Sequence, residues 1–533
     1  MANLDMNRFL TLTVTLIVGV ILIAGVLIPV INDNGGGGGE SNGVKKVVAA
    51  SGVTWVLTED GKLFGCGKND TGSQGDGTTT NVTEFTQRLT EQNITDFDAT
   101  NYLTWAITKD GKLFNCGRND VSQLGDDTAE IITEFTQRLS DETIASVTAS
   151  GSTTWVITTD GKLFGCGRNN YGQQGSGTTD DVTEFTQRLS TETVASVTAT
   201  DNATWVVTTD GKLFGCGKNT RGQQGDGTNN DVLTFTQRLN GETIKDVISD
   251  DTTWVITKDG KLFGCGRNNH GQLGNNDTTD TNTFSQYLND QTIDKVITGT
   301  NITWVLTTDG KVFRCGANGY GQLGNGTTTD IIEFTQCLND ETISKIESTS
   351  YQTWIITTDG KLFCCGRNNN GVLGDGTAEN ILTFTQRLND YVVKDVMTTT
   401  NTTWAITEDG KLFGCGRNNY GQQGDGTTDN VTEFTQRLTD ENIKNVVCST
   451  DTTWALTTDG KLFGCGRNDV GQQGDETAEN ILTFTQRLAD EIPAGTGDTS
   501  ERDPVMTTML SVIPLIMFVG LILLVMNFVF KKE

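Results

Sequence analysis

Residues 144–189 read IASVTASGSTTWVITTDGKLFGCGRNNYGQQGSGTTDDVTEFTQRL. Four runs suited to strands divide this stretch. IASVTAS is a short run of β-branched and small residues; TTWVIT alternates into Thr159-Asp160-Gly161; GKLFGCG leaves that turn; VTEFTQRL follows a polar loop holding Gly172, Gly175 and Gly177. Asp-Gly between two such runs marks a hairpin, because glycine supplies the positive φ that a type I′ turn requires. No helical period runs through the unit. It predicts a small four-stranded antiparallel sheet.

The same unit recurs along the chain. Its tryptophan appears at Trp55, Trp105, Trp155, Trp205, Trp254, Trp304, Trp354, Trp404 and Trp454, every 50 residues with a single step of 49, and the Asp-Gly turn recurs in all nine copies. Self-similarity at this period overrides the domain count that 533 residues would suggest. A lone sheet leaves two faces to cover, and stacking equivalent sheets around an axis covers them. The expected fold class is all-β, a β-propeller of nine four-stranded blades over residues 44–492, flanked by an N-terminal and a C-terminal transmembrane helix. All four prolines lie outside the repeats, so the strands run uninterrupted.

The chain enters the array with VKKVVAA, the counterpart of IASVTAS, and the next copy of that strand breaks off at Pro493 after FTQRLADEI. We expect the strand from the N-terminus to complete the last blade and close the ring, removing exposed edges. An open superhelical array is the alternative. Closure would bring both tethers to one place.

Those tethers lead to two apolar stretches. Residues 9–31 carry no charge over 23 positions, about 34 Å as a helix and enough to span a bilayer core. A signal peptide would have a shorter apolar region. Residues 505–530 form the second candidate span. Arg8 and Lys531-Lys532 place residues 1–8 and 531–533 in the cytoplasm by the positive-inside rule. The repeats, with their linkers 32–43 and 493–504, then face outward from a cell membrane. Sequons at Asn69, Asn81, Asn93, Asn202, Asn276, Asn301, Asn325, Asn401 and Asn430 suit such a surface, although an Asn- and Thr-rich chain also makes them by chance. With 39 basic against 67 acidic residues the net charge is −28. A phosphate backbone is repelled by that surface, so nucleic acid is excluded as the expected partner.

The segment DGKLFGCGRNNYGQQG resembles the signature of the regulator of chromosome condensation repeat family over all nine units. The resemblance implies a propeller of blades about 50 residues long, usually closed with seven. This chain departs from the pattern: Cys166-Gly167 stands at the family's Trp-Gly step, Thr153 or Ala203 replaces a frequent histidine, and the last-strand proline is missing. The blade core is therefore repacked. Exchange activity on a small nuclear GTPase belongs to one family member, and no functional residue carries over.

Nine cysteines, Cys66, Cys116, Cys166, Cys216, Cys265, Cys315, Cys365, Cys415 and Cys465, share one register and read as core packing, since equivalent strands of neighbouring blades lie too far apart for disulfides. Cys337, Cys364 and Cys448 are extra; Cys364 and Cys365 should point to opposite faces of their strand. His270 is the one histidine, so neither a repeated zinc site nor a catalytic triad has its parts. The acidic loops 176–184 and 275–282 lack the spacing of a calcium loop and read as solvated charge. No catalytic residue, cofactor or metal is expected.

One loop position takes six residue types over the nine copies while its surroundings barely change: Thr71, Val121, Tyr171, Arg221, His270, Tyr320, Asn370, Tyr420 and Val470. In a closed propeller these residues form a ring on one face, and Tyr and Arg favour binding hot spots. Neutral variation at an exposed site is the plainer account. The expected function is a non-catalytic, surface-displayed binding or adhesion scaffold for an extracellular protein or glycan. The alternatives are a glycosylated structural coat protein and a regulatory interaction module of the resembling family.

Overall fold

The computed structural model describes residues 43–50 and 52–489. Thirty-six strands, from β1 (Val44–Ala50) to β36 (Ile481–Arg487), form nine sheets of four consecutive strands each. In the third blade β9 (Ile144–Ala149), β10 (Thr153–Thr158), β11 (Leu163–Gly167) and β12 (Val182–Arg188) pair antiparallel in that order. First strands of neighbouring blades lie against one another around the ring, so the first strand of each sheet is innermost and the fourth outermost.

The Asp-Gly hairpin is present, with a different turn. Only Gly161 is left-handed, at φ +81°, and its N–H donates to the Thr158 carbonyl at 2.9 Å. A type I′ turn needs two left-handed residues in succession, so the loop instead has the three-residue form in which glycine follows the turn. The Thr158 hydroxyl donates to the Asp160 carboxylate and holds the corner.

Packing between blades explains the displaced tryptophans. Each sits in the second strand, at most 1% exposed, and meets edge-on or tilted a phenylalanine from the fourth strand of the next blade. Trp155 and Phe235 lie 5.7 Å apart between ring centroids, an attractive edge-to-face geometry. The register cysteines serve the same boundary. Cys166 Sγ donates to the Gln123 carbonyl of the preceding blade at 3.5 Å, and Thr154 Oγ1 donates to that carbonyl at 2.7 Å. All twelve cysteines are free and buried. Cys365 faces the Gln322 carbonyl of the preceding blade while Cys364 faces its own sheet's Leu373 and Thr385 carbonyls.

The ring closes, and by a route other than the expected one. The first and last blades are each complete from contiguous strands, β1 through β4 and β33 (Ile443–Cys448) through β36, so no strand is shared across the seam. Side chains make the join. Val44, Val47, Ala49, Val56 and Phe64 form one core cluster with Val447, Trp454, Leu456 and Leu462, and Thr54 Oγ1 donates to the Gln472 carbonyl at 2.8 Å. The seam is built like the other eight blade boundaries, because a repeat that starts and stops at the same strand leaves nothing to exchange.

Nine leucines carry an unusual backbone. Leu89, Leu139, Leu189, Leu239, Leu288, Leu338, Leu388, Leu438 and Leu488 end the fourth strands with φ between +46° and +55°. A branched side chain is strained there. Packing holds it, since each of the nine lies against a blade core.

Among the described residues no helix is long and apolar enough to cross a membrane. The expected transmembrane helices at 9–31 and 505–530, with their linkers and tails, lie outside the described residues.

Candidate interaction face

Two kinds of loop meet on one face of the ring: the connection from first to second strand and the longer one from third to fourth. The long loop is framed from inside by an asparagine that follows the Cys-Gly step. Asn169 is fully buried; its Nδ2 donates to Ser176 Oγ and to the Thr178 and Asp180 carbonyls, each at 2.9 Å, and its Oδ1 accepts from Gln174 N at 2.8 Å. Equivalent asparagines are fully buried in all nine blades. In six blades an arginine at the end of the fourth strand approaches a loop aspartate as well, as Arg238 does Asp226 at 3.7 Å. Burial lowers the Arg238 pKa, an effect that Asp226 opposes.

The variable residue is fixed at its backbone by a glutamine two places on. Tyr171 N donates to Gln173 Oε1 at 2.9 Å, and Gln173 Nε2 donates at 2.9 Å to the Asp201 carbonyl in the first loop of the next blade. The same glutamine holds Val121, Arg221, His270, Tyr320, Tyr420 and Val470. Thr71 and Asn370 lack it, because Ser73 and Val372 stand at the glutamine position.

Most of these side chains reach the neighbouring blade. Thr71 Oγ1 donates to the Tyr102 carbonyl at 3.0 Å. Arg221 pairs with Asp280 at 3.2 Å, His270 Nδ1 lies 2.8 Å from Asp330, and Asn430 Nδ2 donates to Asn370 Oδ1 at 3.1 Å. Tyr320 meets Tyr351 edge-on at 5.4 Å, Tyr420 lies between Arg417 and Arg467, each 5.4 Å away, and Val470 approaches Gly52 across the seam. Arg221 and Tyr320 are exposed; Val121 and Tyr171, like the others, are half-buried. The nine positions thus form one ring on one face, and seven of them also touch the next blade.

Sequence reading missed the residues beside that ring. Two places after the register cysteine stand Lys68, Arg118, Arg168, Lys218, Arg267, Arg367, Arg417 and Arg467, with Ala317 in the remaining blade. Their recurrence was visible in the repeat; the acidic total hid it. Several are matched locally: Asp251 serves Lys218 and Arg267, Asp451 serves Arg417 and Arg467, and Asp120 serves Arg118. The Arg118 guanidinium holds the Asp120 carboxyl below its ordinary value, and Asp120 in turn raises the Arg118 pKa.

Asn69 is a buried loop frame with its side-chain nitrogen committed to Asp76, Thr78 and Thr80, so that sequon is closed to a glycan in the folded chain. Asn93 and Asn276 are exposed. Among the described residues no group of three or more His, Cys, Asp or Glu could hold a metal ion.

No curated protein matches the chain. Among solved structures it is similar to human WBSCR16, at 20% identity over 63% of this chain and 96% of that one with a TM-score of 0.45. It is also similar to Prp20p from Saccharomyces cerevisiae, at 18% identity over 64% and 90% with a TM-score of 0.42, a protein whose structure was described with its binding to Gsp1p and histones. The model of the RCC1-like domain matches residues 132–390, and that of the regulator of chromosome condensation repeat matches 400–422 and 443–472. With its nine blades and repeated loop frame, the chain is an RCC1-type repeat β-propeller.

Proposed function

We propose that this propeller is a non-catalytic protein-interaction module that engages its partner through the face bearing the variable ring. Family membership supports an interaction module, and brings the regulatory alternative ahead of adhesion. The observation that selects the face is its apolar exposure. Of the four large hydrophobic residues exposed among the described residues, Tyr102 at 39%, Ile131 at 48% and Tyr320 at 39% lie on the loop face, and only Val392 lies on the other. Large side chains left in water on a rigid scaffold mark contact sites. Proximity labelling around the full-length chain, compared with a Tyr102→Ser, Ile131→Ser, Tyr320→Ser variant of equal abundance, tests the reading. Loss of a defined set of labelled proteins supports it; an unchanged set sinks it.

The uncharged stretch 9–31 and the apolar stretch 505–530 favour an additional proposal, that the module is displayed on the outer side of a membrane. An extracellular protein or glycan would then be its ligand. Protease added to intact cells should remove the repeats. Full protection, with cleavage only after permeabilisation, would overturn outward display.

A further inference from the structure

Charge is distributed unevenly around the loop face. In most sectors a cation of the ring has a carboxylate beside it, either in its own loop, as Asp120 is to Arg118, or in an inner loop, as Asp251 is to Lys218. The sector of the sixth and seventh blades is different. Its inner loops contribute Thr300-Asn301 and Ser350-Tyr351, and its long loops begin Ala317-Asn318-Gly319-Tyr320 and Arg367-Asn368-Asn369-Asn370. None of these residues is acidic, in a chain of net charge −28.

At the centre of that sector lies Arg367, which makes no ion pair with a carboxylate. Its guanidinium carbon is 5.1 Å from the Tyr351 ring centroid and 5.6 Å from that of Tyr320. The two rings meet edge-on, with an interplanar angle of 85°. The Asn369 side-chain oxygen accepts from Arg367 Nη2 at 2.8 Å and from its Nε at 3.1 Å. Neither this neutral partner nor the stacking neutralises the guanidinium, whose Nη1 stays available to an anion. Tyr320 contributes an exposed apolar edge, and the side-chain amides around it supply neutral donors and acceptors.

We propose that the Tyr320, Tyr351 and Arg367 cluster is the anchor of the interaction face, and that it receives a protein segment presenting an Asp or Glu carboxylate beside an aromatic or aliphatic side chain. A preorganised arginine held by neutral partners alone matches a carboxylate in charge, and two tyrosines give the flanking side chain a surface. At a net charge of −28 the molecule as a whole repels acidic segments, and this acid-free sector repels them less. The proposal rests on the reading of the loop face as the interaction face.

The test uses a random-peptide phage library selected on the full-length chain in detergent micelles, with binders re-measured on three variants. These are Arg367→Gln, Tyr320→Ser with Tyr351→Ser, and a distant loop-face control, Tyr102→Ser with Ile131→Ser. Circular dichroism confirms that each variant is folded, and Arg367→Lys is made as the rescue. We expect binders enriched in Asp or Glu next to an apolar residue, at least tenfold weaker on Arg367→Gln, partly restored on Arg367→Lys, and weakened by added salt. Binders without acidic enrichment that still lose affinity on the control pair would overturn this anchor while leaving the loop-face reading intact. Binders unaffected by every loop-face variant would overturn both.

Discussion

Phe85 of the first blade and Trp454 of the last meet edge-on at 5.8 Å between ring centroids, with an interplanar angle of 71°. The pair repeats across the seam the contact that Trp105 makes with Phe185 inside the array, at 6.1 Å and 73°. Closure and ordinary blade packing are thus the same interaction. Phe85→Ala should cost about as much stability as Phe185→Ala, on the order of 3 kcal/mol each. In an open array Phe85 would sit on a free edge and its loss would be nearly silent. Urea unfolding of the two variants side by side decides between the cases.

The repeat made most of this legible. Tryptophan spacing counted the blades, and Asp-Gly with the glycine-rich loop placed two of the three strand connections within each blade. The seam was misjudged because a strand run that recurs at both ends looks exchangeable, whereas pairing partners are set by which hairpin each run joins. The variable ring was read from the sequence as a set of free side chains, whereas most of them touch the next blade. The residue that matches Arg221 is Asp280 and the one that matches His270 is Asp330, each about 60 positions further along and on another blade. A single sequence shows the variation without showing what it answers to. The cations beside the ring went unread for a different reason: an overall charge of −28 masks a local excess.

Alkali should unfold this protein early. Burial pushes its thiols upward, to about 11 at Cys337 and about 12 at Cys364 and Cys448, and the nine register thiols well above their ordinary value. In the unfolded chain they ionise near pH 8.5. Above that value the unfolded state binds fewer protons than the native one, so stability falls as pH rises. At pH 9.5 each thiol costs roughly 1.4 kcal/mol, and twelve together cost more than a typical domain's stability. The urea midpoint should drop steeply between pH 8 and 9.5 and should flatten as register cysteines are replaced by alanine. A midpoint insensitive to that range would contradict the burial of the thiols.

The loop frame makes a separate prediction. Asn169 satisfies three acceptors and one donor with its side chain from a fully buried position, beside the bond from its backbone N–H to Asp181 Oδ1 at 2.8 Å that also joins the start of the long loop to its end. Asn169→Ala leaves those groups unpaired and should destabilise the fold by about 2–3 kcal/mol. Hydrogen exchange should rise across residues 170–181 while the strands of the same blade stay protected. Equal loss of protection throughout the blade would mean that Asn169 supports the sheet rather than the loop.

The left-handed leucines invert an ordinary ranking. Leu189 sits at φ +46° with its side chain against the third blade's core. Alanine in its place loses the packing and keeps the strain of a Cβ in that region; glycine loses the same packing and relieves the strain. In most strand positions glycine is the worse substitute, through its greater backbone freedom in the unfolded chain. Here Leu189→Gly should be more stable than Leu189→Ala by about 1 kcal/mol, with both below the wild type. Thermal melts of the two variants read the difference directly. Alanine equal to or better than glycine would show that the strand end relaxes out of the left-handed region once the branched side chain is gone. Packing would then be the cause of that backbone conformation, and the turn after the fourth strand would have no need of it.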